Sequence, residues 1–192
     1  RDGDQPGSTS GERAEIYTGG NGSGTEAEGT AGYYSMAVYF PADFTSTTWT
    51  IFHQMHGSVS GSSPALSLYV EKNRLQAIRR GGSASSPITS SWVIEPTLTR
   101  GRWHQFVYYA RWSRGQDGVL KVWHRVPGLS GSWRLAVDST GPMGFASSSG
   151  FVKPYPKFGI YRSSAESGTT VLYHGGFRLR AKSFAGAAGI FG

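Results

Sequence analysis

The sequence has no cysteine, few charged residues and no long apolar run. The lack of cysteine excludes disulfide bonds and thiolate metal sites from this chain of 192 residues. Charged residues make up only 16% of the chain, which argues against a helical bundle or a coiled coil. No apolar segment approaches the roughly 18 residues that a membrane-spanning helix needs. We therefore expect neither a helical fold nor a membrane-spanning helix.

Turn-forming residues and aromatic rings are abundant instead. The chain contains 28 Gly and 9 Pro, and 14% of its residues are aromatic. Short runs of strand composition recur between these turn residues at the spacing expected of a β-sandwich. The runs are residues 33–40, 48–56, 65–70, 75–79, 103–112, 119–126, 133–137, 157–161 and 171–182. They predict one all-β sandwich domain over residues 1–192, with residues 183–192 as a frayed tail.

The positive charge of the chain suits a polyanionic partner. There are 19 Lys and Arg against 12 Asp and Glu, so the formal net charge is +7. The cations are scattered along the chain, and no motif of a nucleic-acid-reading domain occurs. The charge alone leaves nucleic acid, an anionic polysaccharide and an anionic membrane open as partners. The side chains on the predicted sheet faces favour the anionic polysaccharide, and we expect neither nucleic acid nor membrane.

Alternation along residues 48–56 divides the side chains of this predicted strand between two faces. The set predicted to face the core is Trp49, Ile51, His53 and Met55. The opposite set is Phe52, Gln54 and His56. The polar members Gln54 and His56 are therefore predicted to point away from the core.

Two further strands show the same division. In residues 12–17 the apolar set is Ala14 and Ile16, and the polar set is Arg13 and Glu15. Near the C terminus the apolar set is Pro156, Phe158 and Ile160, and the opposite set is Tyr155, Lys157, Gly159 and Tyr161. Arg and Gln can bind a carboxylate, His and Tyr can transfer protons, and Lys can hold a further negative charge. Each residue alone is more typical of packing or of a solvated surface, but together they predict a site for an anionic sugar.

These residues resemble the three strand motifs of the jelly-roll polysaccharide lyases. The motifs are Arg13-Ala14-Glu15, Gln54-Met55-His56 and Tyr155-Pro156-Lys157-Phe158-Gly159-Ile160-Tyr161. The alginate lyases of polysaccharide lyase family 7 carry similar motifs. The stretches 101–104 and 117–123 are closer to heparin lyase I and to the glucuronan lyases of family 20. The resemblance extends over about residues 1–180.

The resemblance implies a concanavalin-like β-jelly roll with a concave groove, and an enzyme that cleaves a uronic-acid polymer by β-elimination. A glucuronan-like polymer is the first choice of substrate. Arg13 and Gln54 would neutralise the carboxylate of the sugar, Tyr161 would handle protons, and His56 is the other candidate base. The residues expected to bind or position substrate are Glu15, Arg79, Arg80, Tyr155 and Lys157.

Further expectations concern completeness, cofactors and location. The segment Arg1-Asp2-Gly3-Asp4 resembles the one that follows a first strand in this family, which suggests that an N-terminal strand is missing from this chain. No side chains show metal-ligand spacing, so we expect no required cofactor and name no metal ligands; the resemblance allows a structural calcium ion. The family implies a secreted, extracellular enzyme, with no signal peptide in this chain, and we expect a monomer.

Two other classes of protein fit part of the pattern. A non-catalytic carbohydrate-binding module of the same fold would keep basic and aromatic side chains, but it would not need Gln54, His56 and Tyr161 together. A structural protein, such as a filament subunit or a phage-associated protein derived from a lyase, would form polymers at high concentration.

Overall fold

The computed structural model describes residues 11–18, 24–57, 63–148 and 150–192. The segment Arg1-Asp2-Gly3-Asp4 and the question of a missing first strand lie outside these residues. The strands are β1 (Gly11–Tyr17), β2 (Ala31–Phe40), β3 (Trp49–Gly57), β4 (Leu66–Glu71), β5 (Arg74–Ser83), β6 (Pro87–Glu95), β7 (Arg102–Arg111), β8 (Val119–Arg125), β9 (Arg134–Thr140), β10 (Gly144–Ser147), β11 (Gly150–Val152), β12 (Pro154–Ser163) and β13 (Tyr173–Ala181). A short helix, α1 (Phe184–Ala188), and a 3-10 turn (Gly189–Phe191) follow. Within the described ranges, no helix has the length and apolar character needed to cross a membrane.

The strands form two sheets that pack face to face. Sheet A contains eight strands in the order β1-β12-β3-β4-β5-β10-β11, with β6 also paired to β5. Sheet B contains five strands in the order β13-β2-β7-β8-β9. This arrangement confirms the predicted all-β jelly-roll sandwich. It also puts the three motif-bearing strands β1, β12 and β3 next to one another.

Apolar and aromatic side chains from both inner faces fill the space between the sheets. The ring of Phe52 in sheet A packs against Phe40 and Phe106 of sheet B, with centroids 5.4 and 5.7 Å apart. Tyr34 and Tyr108 stack at 4.8 Å. Full burial of one such side chain contributes about 1.5–3 kcal/mol, so this layer is the main source of stability.

Strand β3 contains a β-bulge, and the bulge makes the simple alternation of residues 48–56 wrong. The register of β3 against β4 shifts between Ile51 and His53. Phe52 and His53 are both buried on the inner side, where His53 Nε2 lies 3.0 Å from the hydroxyl of Tyr108 in sheet B. Because two successive residues point inward, Trp49 lies with Ile51 on the outer side and not in the core.

The bulge still leaves the predicted polar residues on the outer side. Met55 is fully buried in the core. Gln54 and His56, on either side of it, therefore face away from sheet B.

The apolar set predicted for β1 does not join the core. Ala14 is exposed, and Ile16 is 77% exposed. Strand β1 is the edge strand of sheet A. The apolar face predicted for residues 12–17 is therefore exposed in the described part of the chain, and Ala14 and Ile16 do not contribute to the core.

The C-terminal segment is ordered helix and turn rather than a frayed tail. Ser183 caps α1 by accepting a hydrogen bond from the backbone N–H of Gly186. The ring of Phe184 packs on Trp123 and Trp133, with centroids 5.0 and 5.5 Å away. The sequence pattern missed this helix because five residues are too few to show a helical period.

Candidate active site

The three motifs meet on the outer face of sheet A. Across β1 and β12, Arg13 is paired with Tyr161 and Glu15 with Gly159. Across β12 and β3, Lys157 is paired with Gln54, while Tyr155 is paired with His56. Paired residues of neighbouring strands share a sheet face. We call this surface the polar face; its members are Arg13, Glu15, Gln54, His56, Tyr155, Lys157 and Tyr161.

Tyr161 is held between a cation and a second ring. The guanidinium carbon of Arg13 lies 4.3 Å from the centroid of the Tyr161 ring. The ring of Trp49 meets Tyr161 edge to face at 5.0 Å. A guanidinium at this distance from a phenol ring makes a cation–π contact. One end of the polar face thus combines a fixed positive charge with a fixed phenol.

Glu15 connects the motifs of β1, β3 and β12. Its carboxylate accepts a hydrogen bond from the side-chain amide of Gln54, and its Oε2 lies 4.0 Å from Lys157 Nζ. Burial raises the pKa of Glu15, although the hydrogen bond from Gln54 and the charges of Lys157 and Arg13 oppose this shift. Burial also lowers the pKa of Lys157. Both shifts favour the neutral forms, so the pair at 4.0 Å is a weak ion pair.

Three buried polar atoms of the polar face have no hydrogen-bond partner among the described residues. Gln54 is only 1% exposed although it is on the outer side, which shows that its neighbours enclose it. Within the described residues, Gln54 Oε1, Glu15 Oε2 and Arg13 Nε are buried without a hydrogen-bond partner. A buried polar atom without a partner costs about 1–3 kcal/mol, and water or a bound sugar can relieve this cost.

His56 has the protonation state that a general base requires. Its Nδ1 lies 2.5 Å from the carbonyl oxygen of Gly57. A carbonyl can only accept, so Nδ1 carries the proton and Nε2 keeps its lone pair. Burial lowers the pKa of His56, and the charges of Lys157 and Arg13 lower it further. The imidazole is therefore neutral at neutral pH.

The two proton-handling groups belong to cross-strand pairs at the two ends of the polar face. His56 is paired with Tyr155, and their ring centroids are 6.2 Å apart. Tyr161 is paired with Arg13. The Arg13 guanidinium contacts the Tyr161 ring and also lowers the pKa of His56, so its charge acts on both groups.

A glycine lets β1 approach β12 between these two ends. Gly159 has a φ of +138°, and a Cβ placed on it would lie 2.2 Å from the carbonyl oxygen of Ala14. No other residue fits that backbone without displacing β1. The glycine of the third motif thus keeps Arg13 and Glu15 against their partners.

The two arginines predicted to bind substrate point to opposite sides of β5. Arg80 is on the outer side, and its Nη1 donates to the carbonyl oxygen of Pro64 at 3.3 Å. Arg79 is 4% exposed and points inward. It donates to Ser139 of sheet B at 2.9 Å and to Ser90 at 3.3 Å. Arg79 therefore links the two sheets. Its inward position does not support a role in substrate binding.

Sequence reasoning missed polar residues of β4 and β5 that extend the polar face. Ser67 is paired with Ile78, and Tyr69 with Gln76, all on the outer side next to β3. Burial raises the pKa of Tyr69. The strict apolar–polar alternation of Leu66–Glu71 was a signal that could have identified Ser67 and Tyr69.

One group of described side chains could hold a metal ion. It consists of Glu95, His104 and His124, on β6, β7 and β8. None of these strands contributes to the polar face as defined above.

Comparison with solved structures finds many with a similar fold, including a glucuronan lyase and an alginate lyase. An endo-β-1,4-glucuronan lyase from the fungus Trichoderma reesei superposes with a TM-score of 0.68 at 15% identity, over 88% of this chain and 73% of the other. Alginate lyase A1-II′, of polysaccharide lyase family 7, superposes with a TM-score of 0.51 at 14% identity. This superposition covers 88% of this chain and 73% of the alginate lyase. Identities this low show a shared fold. A search of curated protein sequences finds no match.

The family assignment comes from the sequence itself. A sequence profile described as polysaccharide lyase matches residues 1–178. That match covers nearly the whole chain of 192 residues. The chain therefore belongs to the polysaccharide lyase family and is a polysaccharide lyase enzyme.

Proposed function

We propose that this enzyme cleaves a glucuronan-like uronic-acid polymer by β-elimination at the polar face. The observation that carries the proposal is the contact between the Arg13 guanidinium and the Tyr161 ring, 4.3 Å apart. It puts a carboxylate-binding cation beside a proton-transferring phenol. The fold likeness to the glucuronan lyase of Trichoderma reesei supports the choice of polymer.

The first chemical task is to make the C5 proton of the sugar acidic. That proton is weakly acidic while the adjacent carboxylate keeps its full negative charge. The Arg13 guanidinium and the second N–H of the Gln54 amide can bind the carboxylate. They then stabilise the enolate-like intermediate, as preorganised donors do in an oxyanion hole.

The second task is the transfer of two protons. A base removes the C5 proton, the electron pair of that C–H bond forms the C4–C5 double bond, and the C4–O4 bond breaks. The leaving O4 then takes a proton. In glucuronate the C5 proton and O4 lie on the same side of the ring, so one group can take the first proton and return it to O4. Tyr161 can do this by taking the C5 proton on its phenolate oxygen and donating the same proton to O4 from the hydroxyl so formed.

The remaining polar residues have binding roles in this proposal. His56 is paired with Tyr155, whereas Tyr161 is paired with Arg13, and on this basis we give His56 an assisting role. Lys157 and Arg80 would bind carboxylates further along the polymer. Glu15 would position Gln54 and Lys157. The positive charge at the carboxylate comes from Arg13, so the proposed reaction requires no cofactor.

The proposal includes an extracellular location and a monomeric state for the enzyme. An extracellular location fits a polymeric, anionic substrate. The family membership does not favour a carbohydrate-binding module or a filament protein.

The test is incubation of the protein with glucuronan, alginate, heparin and hyaluronan, followed by ultraviolet absorbance of the unsaturated product. We expect the fastest rise with glucuronan and none with the Tyr161→Phe variant. Absorbance that rises only with alginate or heparin would contradict the proposed substrate. No rise with any polymer, combined with measurable binding, would contradict the proposed reaction.

A further inference from the structure

Two histidines and a glutamate meet between the two sheets, outside the polar face. Glu95 ends β6 of sheet A, His104 lies near the start of β7, and His124 lies near the end of β8. Both imidazoles are on the inner side of sheet B, with exposures of 0% and 3%. The rings of Phe40 and Phe106 pack on them, with centroids 5.1 and 4.9 Å away. The group is thus held rigidly by the core.

The distances within this group leave a gap between Glu95 and the two imidazoles. His104 Nδ1 and His124 Nε2 are 3.0 Å apart and share a hydrogen bond. Glu95 Oε1 is 4.0 Å from the first and 3.9 Å from the second. Both separations from Glu95 are too long for a hydrogen bond. Ligand atoms around a tetrahedral Zn²⁺ with bonds of 2.0–2.1 Å are about 3.3 Å apart. Shifts of less than about 1 Å would produce this geometry.

Thr99 orients two of the ligands. His104 Nε2 lies 2.6 Å from the carbonyl oxygen of Thr99, so Nε2 carries the proton and the Nδ1 lone pair accepts a hydrogen bond from His124 Nε2. A metal ion would take the place of that His124 proton, which would move to His124 Nδ1 or be released to water. The backbone N–H of Thr99 donates to Glu95 Oε2 at 3.1 Å, which leaves Oε1 directed at the imidazoles. A backbone carbonyl that fixes the tautomer of a histidine is the usual second partner of a metal-ligating imidazole.

A cavity gives access to the group from one side. It has a volume of about 530 Å³, and its lining includes Glu95, His124 and Ser130. It has room for a water molecule as a further ligand. Arg134 also lines the cavity, and its guanidinium donates to the carbonyl oxygen of Ile94. The positive charge of Arg134 reduces the affinity for a cation, whereas the carboxylate of Glu95 increases it.

We propose that Glu95, His104 and His124 bind a divalent transition-metal ion, Zn²⁺ in the first instance. Two imidazole nitrogens and one carboxylate suit Zn²⁺ and do not suit Ca²⁺, which takes 6–8 oxygen ligands. Glu95 belongs to sheet A and the histidines to sheet B. The bound ion therefore joins the two sheets, and its role is to stabilise the sandwich.

The test measures Zn²⁺ binding and thermal unfolding of chelator-treated protein without a histidine tag. We expect one equivalent of Zn²⁺ to bind and, at saturation, to raise Tm by at least about 3 °C. Ca²⁺ should leave Tm unchanged. Co²⁺ at the same site should give the intense visible absorption of a four-coordinate complex.

Glu95→Gln is the decisive variant because it keeps the shape of the side chain and removes a charged ligand. We expect its fold without metal to be retained and its Zn²⁺ affinity to fall by at least about tenfold. Glu28→Gln, at a surface ion pair with Arg114, is the matched control and should bind like the wild type. His124→Gln should abolish the Co²⁺ absorption.

Three results would overturn the proposal. They are the absence of stoichiometric Zn²⁺ binding to the wild type, Zn²⁺ binding by Glu95→Gln that equals that of the wild type, and a Ca²⁺ effect on Tm equal to that of Zn²⁺. If His124→Gln does not fold, the Glu95→Gln result decides alone.

Discussion

Arg13 and Tyr161 form a cross-strand pair in which the guanidinium carbon lies 4.3 Å from the centre of the phenol ring. The contact joins the first and third motifs although their residues are 148 positions apart in the chain. This contact requires β1 to remain paired with β12. The edge strand β1 is therefore part of the site.

Tyr161→Phe should abolish turnover and spare polymer binding. The substitution keeps the ring between Arg13 and Trp49 and removes only the hydroxyl group. Loss of the proton-transferring group should lower kcat by at least about 10³-fold. Initial rates of ultraviolet absorbance and the dissociation constant for glucuronan measure the two effects. Tyr173→Phe, an exposed tyrosine of sheet B, is the control, and full activity of Tyr161→Phe would refute the assignment.

His56→Ala should keep a measurable fraction of the activity on glucuronan. His56 is paired with Tyr155 and Tyr161 with Arg13, and in the proposed mechanism His56 assists while Tyr161 carries the proton transfer. We expect a loss of about 10- to 100-fold in kcat/KM. If His56→Ala and Tyr161→Phe are equally and totally inactive, both residues act on the same sugar in a two-residue mechanism.

The neighbouring arginines of β5 should give opposite phenotypes. Arg79→Ala removes hydrogen bonds to Ser139 and Ser90 and should lower the free energy of unfolding by about 2–4 kcal/mol. Arg80→Ala should leave that free energy within about 0.5 kcal/mol and raise KM about tenfold. Urea unfolding measures the effect of each substitution on stability, and steady-state kinetics measure its effect on KM. The assignment fails if Arg79→Ala is stable but has a raised KM.

Gly159→Ala should separate β1 from β12. The added Cβ would collide with the carbonyl oxygen of Ala14, and the φ of +138° is unfavourable for alanine. We expect a loss of at least about 2 kcal/mol in unfolding free energy together with reduced activity. Gly168→Ala is the control, since its φ is +75° but its Cβ would meet open space. Equal effects of the two substitutions would show that backbone strain and not the collision is responsible.

Stability should fall as the pH falls below about 6.5. Burial lowers the pKa of His53 from 6.5 to about 3 and also lowers that of His174. Below pH 6.5 the unfolded chain therefore binds protons that the folded protein does not bind. For each such histidine, unfolding free energy should decrease by about 1.4 kcal/mol per pH unit, down to its folded pKa.

Urea unfolding between pH 7 and pH 5 measures this slope before most carboxylates titrate. His53→Gln should reduce the slope. An unfolding free energy that does not change over this range would contradict the prediction.

The sequence predicted the β-sandwich and the position of the three motifs on one sheet. Both predictions rest on alternation and on turn residues, which depend on residues close together in the chain. The sequence did not predict the side of β3 on which Trp49 and Ile51 lie, because the residue pattern of this strand does not show where the bulge occurs. The Arg79 side chain points inward because it donates a hydrogen bond to Ser139 in the other sheet. Such a contact joins residues far apart in the chain, and no spacing rule reveals it.

The bulge at Phe52 and His53 also determines how this enzyme can change during evolution. Substitutions on the polar face alter one group at a time and leave the others in place. A deletion of one residue at the bulge would restore simple alternation and leave Gln54 and His56 on the outer side. A deletion of one residue elsewhere in β3 would instead reverse the facing of the residues beyond it; loss of Met55, for example, would turn His56 towards sheet B. Lineages of this protein should therefore accept point changes in this strand, and loss of one bulge residue, far more readily than other changes in its length.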